Sequence, residues 1–228
     1  MADVIVTSIM DLEDRSESFK EIAGLTLPFF ERYAASCGAD LGLIEDRKYT
    51  SDNNWLNNAF EKIQALDFLD IYDRVLFIDV DCYISKNCIN LFDTVPVDKF
   101  AIYLKPEHEM KEHNYDSKNK WEQISSIPWI AANSGVFLLS QSCKIIKQSI
   151  TEDIIKVQQG GQSFISSAPA IYDIEYFDLQ SYKLSDQINM FVGRNLNTIQ
   201  DEGILHTMGA NISKIERLNA LINKFEIT

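Results

Sequence analysis

No stretch of this 228-residue chain approaches the roughly 18 consecutive apolar residues of a membrane span. The N-terminal MADVIVTSIMDLEDR has no basic segment leading into an apolar one, so no secretory leader is expected and the cytoplasm is the expected location. Clustered positive charge is also missing. Lys and Arg number 21 against 34 Asp and Glu, a net charge of −13, and no run of basic residues offers a face to a phosphate backbone. A nucleic-acid partner is thereby excluded, and any anionic ligand needs a bridging cation. Cys37, Cys82, Cys88 and Cys143 form no C-x-x-C pair and have no histidines at zinc-finger spacing, so they read as reduced thiols. Cys82, inside an apolar run, and Cys37, near a helix end, read as small buried packing residues. No repeat and no Ser/Gly linker divides the chain, which points to one domain over residues 1–228.

What is present is an ordinary globular composition, 46% apolar and 24% charged. DVIVTSI at 3–9 reads as a first strand, DLGLIED at 40–46 as a second, RVLFID at 74–79 as a third, and KFAIYL at 99–104 and NSGVFLLS at 133–140 as further strands. Helical spacing runs from about Ser16 to Ala35, with a kink or break expected at Pro28, and over 54–66 through Trp55, Ala59, Ile63 and Leu66. A further helix is expected over 141–159, ended by Gly160 and Gly161, and a closing helix over 212–224. YDIEYFDL and GILHTMG supply late strand-like pieces. The alternation predicts an α/β fold with a mixed, mostly parallel central sheet flanked by helices, whose ligands collect at the C-terminal strand ends. The polar stretch 105–127 is too long for a simple connection and reads as a functional loop or short helix, with Asp116 as its candidate carboxylate toward a ligand hydroxyl.

RVLFIDVDCYI at 74–84 carries the chemistry. An apolar run built for burial meets Asp79 and Asp81, and a desolvated carboxylate costs several kcal/mol unless something positive meets it. Two residues apart on an extended chain, both side chains leave the same face and can share one ion. Hard oxygen ligands suit magnesium or manganese.

The order of these segments resembles the GT-A glycosyltransferases, especially family 8. VIVTSI, then AFEKIQAL with YDRVLFIDVD, then NSGVFLLS, then SDQINMF stand in the family's order, the last shorter between Gln187 and Asn189 than the family's D-Q-x-x-x-N. ILHTMG at 204–209 is similar to its H-x-x-G. The resemblance implies a GT-A domain moving a hexose from a nucleotide diphosphate sugar, most plausibly a UDP-sugar, to a hydroxyl of a glycan or other acceptor, with retention of anomeric configuration. It implies Mn2+ or Mg2+ held by Asp79, Asp81 and His206. It places Thr7 near the base and ribose, Lys62 on the donor, Asn133, Ser134 and Gly135 along the sugar pocket, and Asp186 and Gln187 beside the anomeric centre. The family continues H-x-x-G-x-x-K-P-W, whereas this chain has Ile212-Ser213-Lys214, so Lys214 or Arg217 is left to reach the diphosphate.

Two other motifs fail. HEMKEH at 108–113 sets its histidines five residues apart, which splits them between helix faces and excludes a zinc-protease site. DVDCYISKNCIN lacks the sixth-position glycine of a calcium loop. Two rival readings stand beside the transferase. One is a haloacid-dehalogenase-like phosphatase with Asp79 as nucleophile, and the other is a non-catalytic nucleotide-sugar binding module.

Overall fold

The structure is a computed structural model, and it describes residues 1–10, 18–49, 60–105, 118–119, 121–123, 126, 128–150, 160–179, 201, 203–207 and 213–226. Strand β1 (Asp3–Ser8) leads to helix α1 (Phe19–Cys37) and strand β2 (Asp40–Ile44). A 3-10 turn (Lys62–Gln64) runs into the short helix α2 (Ala65–Phe68) and strand β3 (Arg74–Ile78). Then come β4 (Cys82–Ile84), α3 (Leu91–Thr94), β5 (Phe100–Leu104) and β6 (Ala132–Ser140). Helix α4 (Gly160–Ser167), β7 (Tyr176–Asp178), β8 (Ile204–His206) and α5 (Lys214–Phe225) complete the described elements.

Six strands form one sheet in the order β2-β1-β3-β6-β5-β7, with β6 antiparallel to both its neighbours and the remaining pairs parallel. Both faces are covered, which is why Val75–Ile78 of β3 and Val136–Leu139 of β6 are continuous apolar runs and both strands are buried along their whole length. Alternation sends Ile5, Leu76, Ile78, Val136 and Leu138 into a core shared with α1 and α5, and Val4, Val6, Val75, Phe77 and Phe137 into a second core shared with Ile63, Leu66 and Phe164. Phe77 and Phe137 face each other across the β3–β6 ladder and stack at 4.9 Å.

Helix α1 buries Ile22, Ala23, Thr26, Phe29, Phe30, Tyr33 and Ala34, the stripe that a 3.6-residue period places on one side. Ser18 caps it by accepting from the Lys20 N–H, and Gly38 ends it at φ 66°. The break expected at Pro28 does not occur. The helix runs continuously through Pro28, held by the burial of Phe29, Phe30, Tyr33 and Ala34 beyond it.

The helix expected from 141 is instead a 3-10 helix over Gln141–Ser149. A three-residue repeat stacks Cys143 and Ile146, its two buried side chains, one above the other toward the core. Gly160 and Gly161 open α4 and do not end a helix. Residues 151–159 and 50–59, on which parts of the expected helices fall, lie outside the described residues.

Arg74 opens β3 beside Asp3, which opens β1, and the two form a buried pair with Nη2 2.6 Å from Oδ2. Removing one partner strands a desolvated charge, at a cost of about 3 kcal/mol. Asp3→Ala is therefore expected to lower unfolding free energy by that amount in a urea titration. Because this pair zips the strand ends remote from Asp79, the folded fraction is expected to keep its ion-binding properties.

Candidate active site

The chain leaves the main sheet between Ile78 and Cys82. The Asp79 N–H donates to Gly135 O at 2.7 Å, extending the β3–β6 ladder. Thr207 donates to Asp81 O through its N–H at 3.1 Å and its hydroxyl at 2.8 Å, extending the second, two-stranded ladder of β4 with β8. Asp79, Val80 and Asp81 thus form the corner where the two sheets part. The corner is a turn closed by the Cys82 N–H on Asp79 O at 3.2 Å. The two carboxylates share a side through this turn and not through the two-residue period of an extended strand. The two carboxylates converge because the chain bends between them, with Asp81 almost fully buried and the Asp79 side chain 25% exposed.

Two ammonium groups and one imidazole meet these carboxylates. The Lys62 ammonium donates to Asp79 Oδ1 at 2.9 Å and Oδ2 at 3.2 Å, and also to Ser134 O at 3.2 Å. Lys214, the first residue of α5, bonds Asp81 Oδ2. His206 Nε2 lies 3.1 Å from Asp81 Oδ1 and 3.7 Å from Asp79 Oδ2. Burial pushes the Asp81 carboxyl up, but the adjacent His206 imidazole and Lys214 ammonium outweigh it and hold the group well below the usual carboxylate range. Lys214, expected on a diphosphate, rests on Asp81 here because the Ser213 hydroxyl caps α5 on the Glu216 N–H and points the first turn at the corner. Arg217 faces the Thr207 carbonyl at 3.4 Å.

The N-S-G segment is a bulge. Ile102 pairs with Phe137 but the next residue, Tyr103, pairs with Asn133, so Ser134, Gly135 and Val136 are extra length on β6. The Asn133 side chain closes it by accepting the Gly135 N–H at 2.9 Å. Gly135 then lies flat under the imidazole: a Cβ there would stand 2.5 Å from His206 Cε1 and Nδ1. Asn133, Ser134 and Gly135 therefore gather at the same corner as Asp79, Asp81, His206 and Lys62. Thr7 ends β1 fully buried, its hydroxyl without a hydrogen-bond partner. Asp116, Asp186, Gln187 and Gly209 lie outside the described residues.

The donors suit a divalent ion. Two ligand atoms each about 2.1 Å from one ion at right angles stand about 3.0 Å apart. The 3.1 Å between His206 Nε2 and Asp81 Oδ1 meets that spacing, and two carboxylates with one imidazole are ligands that manganese accepts.

Sequence reasoning missed three contributors. Thr207 pins the corner to β8. Glu61, fully buried, accepts the backbone N–H groups of Lys48 and Tyr49 at 3.1 and 2.9 Å and so fixes the turn that carries Lys62. Cys82 joins Asp81 and His206 in a cluster whose ligand atoms lie within 4.8 Å of one another. Only the β4–β8 pairing brings that thiol to the histidine, and nothing local signals it.

No curated protein sequence matches the chain. Among solved structures, a glycosyltransferase involved in the glycosylation of the major capsid of PBCV-1 is similar over 96% of this chain and 100% of that one, at 13% identity and a TM-score of 0.56. The galactosyltransferase LgtC in complex with donor and acceptor sugar analogues is similar over 97% and 96%, at 14% identity and a TM-score of 0.48. The first shares the mixed α/β architecture described above. The sequence model of glycosyl transferase family 8 matches residues 4–190, a span that holds Thr7, Lys62, both aspartates of the corner and the N-S-G bulge. His206 and Lys214 lie beyond that span and reach the corner through β8 and α5. The chain belongs to glycosyl transferase family 8, and it is a glycosyltransferase of the GT-A fold.

Proposed function

We propose that the protein transfers a hexose from a UDP-sugar to a hydroxyl acceptor, with retention, and that the reaction depends on Mn2+ or Mg2+ held by Asp79, Asp81 and His206. The observation that carries this reading is the convergence of both carboxylates on His206 Nε2, at 3.1 and 3.7 Å, in a chain of net charge −13. When bound, the ion supplies positive charge to the departing nucleotide diphosphate.

The side chains around it have separate tasks in this reading. Lys62, beside Asp79, would contact the donor, and Lys214, beside Asp81, would contact the diphosphate. Asn133, Ser134 and Gly135 line the sugar pocket, where the missing Cβ permits close approach. Thr7 offers its orphan hydroxyl to the ribose or base. Asp186 and Gln187 stand beside the anomeric centre, and Asp116 accepts a hydroxyl of the donor sugar from the lid segment.

A panel of nucleotide diphosphate sugars with manganese tests the proposal. Release of UDP from a UDP-hexose supports it, whereas phosphate release from simple monoesters, with no nucleotide released from any sugar donor, contradicts it. In the same assay His206→Ala is expected to weaken manganese-supported UDP binding at least tenfold while its thermal midpoint moves little. Unchanged binding would return His206 to a packing role.

A further inference from the structure

Cys82 stands directly opposite His206 across the β4–β8 ladder and has no task in the transfer reading. Residues facing one another in an antiparallel pair send their side chains to the same side, with Cβ atoms about 4.5–5.5 Å apart. Asp81 bends back onto the same point. One carboxylate oxygen of Asp81, the thiol of Cys82 and one imidazole nitrogen of His206 therefore lie within 4.8 Å of one another. All three are buried, at 3%, 0% and 5% exposure, and His206 Nδ1 has no hydrogen-bond partner. Gly135 leaves the ring its room, since a Cβ there would stand 2.5 Å from Nδ1 and Cε1.

A four-coordinate ion with bonds of about 2.0–2.3 Å brings its donors roughly 3.3–3.7 Å apart. The donor set differs from that of the transfer site in one respect that decides selectivity. Sulfur replaces the oxygen of Asp79, and a thiolate favours zinc-class ions over the hard manganese and magnesium.

We propose that Asp81, Cys82 and His206 form a mixed oxygen, sulfur and nitrogen site that captures a thiophilic divalent ion, Zn2+ or its analogue Co2+, in competition with the ion of the transfer reaction. As the metal–sulfur bond forms, the thiol proton leaves to solvent. The inference rests on Asp81 and His206 as ligands and is independent of which sugar, if any, is transferred.

The full chain, stripped with a chelator and free of nucleotide, is titrated with Co2+ and read in the near ultraviolet. A sulfur-to-cobalt charge-transfer band that saturates at one ion per chain is expected. It should disappear in Cys82→Ser and Cys82→Ala. It should persist in the combined Cys37→Ser, Cys88→Ser, Cys143→Ser variant, whose one remaining thiol is Cys82. Zn2+ affinity is expected to fall about tenfold or more in Cys82→Ala, with Mn2+ affinity within about twofold of the wild type. Cobalt binding without the band, no cobalt binding, or a band that survives loss of Cys82 would each overturn the proposal. The triple variant keeps the test decisive if a Cys82 substitution prevents folding. No sugar donor enters the experiment, so its failure leaves the transferase reading untouched, and the reverse holds.

Discussion

Asp81→Asn is expected to reduce manganese-supported turnover of the sugar donor by about 100-fold or more, with most of the loss in kcat/KM. The substitution keeps size and burial but removes the charge that meets His206 Nε2 at 3.1 Å and the Lys214 ammonium. Lewis-acid stabilisation of a leaving diphosphate is worth several kcal/mol, and each 1.36 kcal/mol is a factor of ten in rate. The fold should survive, because Lys214, at the start of α5, can turn to solvent and the backbone of the corner is held by Thr207 on the Asp81 carbonyl. Donor turnover measured across manganese concentrations checks this. A variant that keeps both the wild-type rate and the wild-type manganese dependence would show that Asp81 does not carry the ion.

Gly135→Ala has the second largest expected effect, and it acts without touching a charge. Its Cβ would stand 2.5 Å from His206 Nδ1 and Cε1 and 3.2 Å from Asn133 Oδ1, inside van der Waals contact, so the imidazole must leave its place. The bulge cannot yield easily, since the Asp79 N–H is tied to the Gly135 carbonyl and the Gly135 N–H to Asn133. Displacing one ligand of an ion site typically costs 10–100-fold in affinity, and manganese-supported UDP binding is expected to weaken by about that range. Gly42→Ala is the control. Its Cβ would meet the Phe68 ring at 2.5 Å on an unrelated side of the sheet, so it should cost stability but leave UDP affinity intact. Equal losses of UDP affinity in the two variants would reduce the Gly135 effect to general destabilisation.

The parts of the fold legible in the sequence are those set by local pattern. β1, β2, β3, β5 and β6 follow from apolar runs of strand length, and α5 from its Ser213–Glu216 cap and apolar period. α1 was legible as a helix but not in its continuity, because a proline held inside a helix by burial of the turns beyond it looks the same in sequence as one that breaks a helix. The stretch over Gln141–Ser149 resists local reading as well, since Cys143 and Ile146 satisfy an α-helical and a 3-10 period alike.

The candidate site divides the same way. Asp79, Asp81 and His206 stand out by residue type and order, and the structure brings them together. Their geometry was not legible. The shared face depends on a turn closed at Cys82, and the open space for the imidazole depends on a bulge that shows only in the pairing of β5 with β6. Lys214 on Asp81 and Cys82 opposite His206 join segments more than a hundred residues apart, which no window of sequence contains.

The central claim is that a divalent ion bridges an acidic protein to an anionic donor through Asp79, Asp81 and His206. Calorimetric titration of the chelator-treated protein with UDP, repeated with saturating manganese, tests it most directly. The account predicts binding too weak to measure with chelator and a saturable one-site isotherm with manganese. The same UDP affinity under both conditions would contradict it.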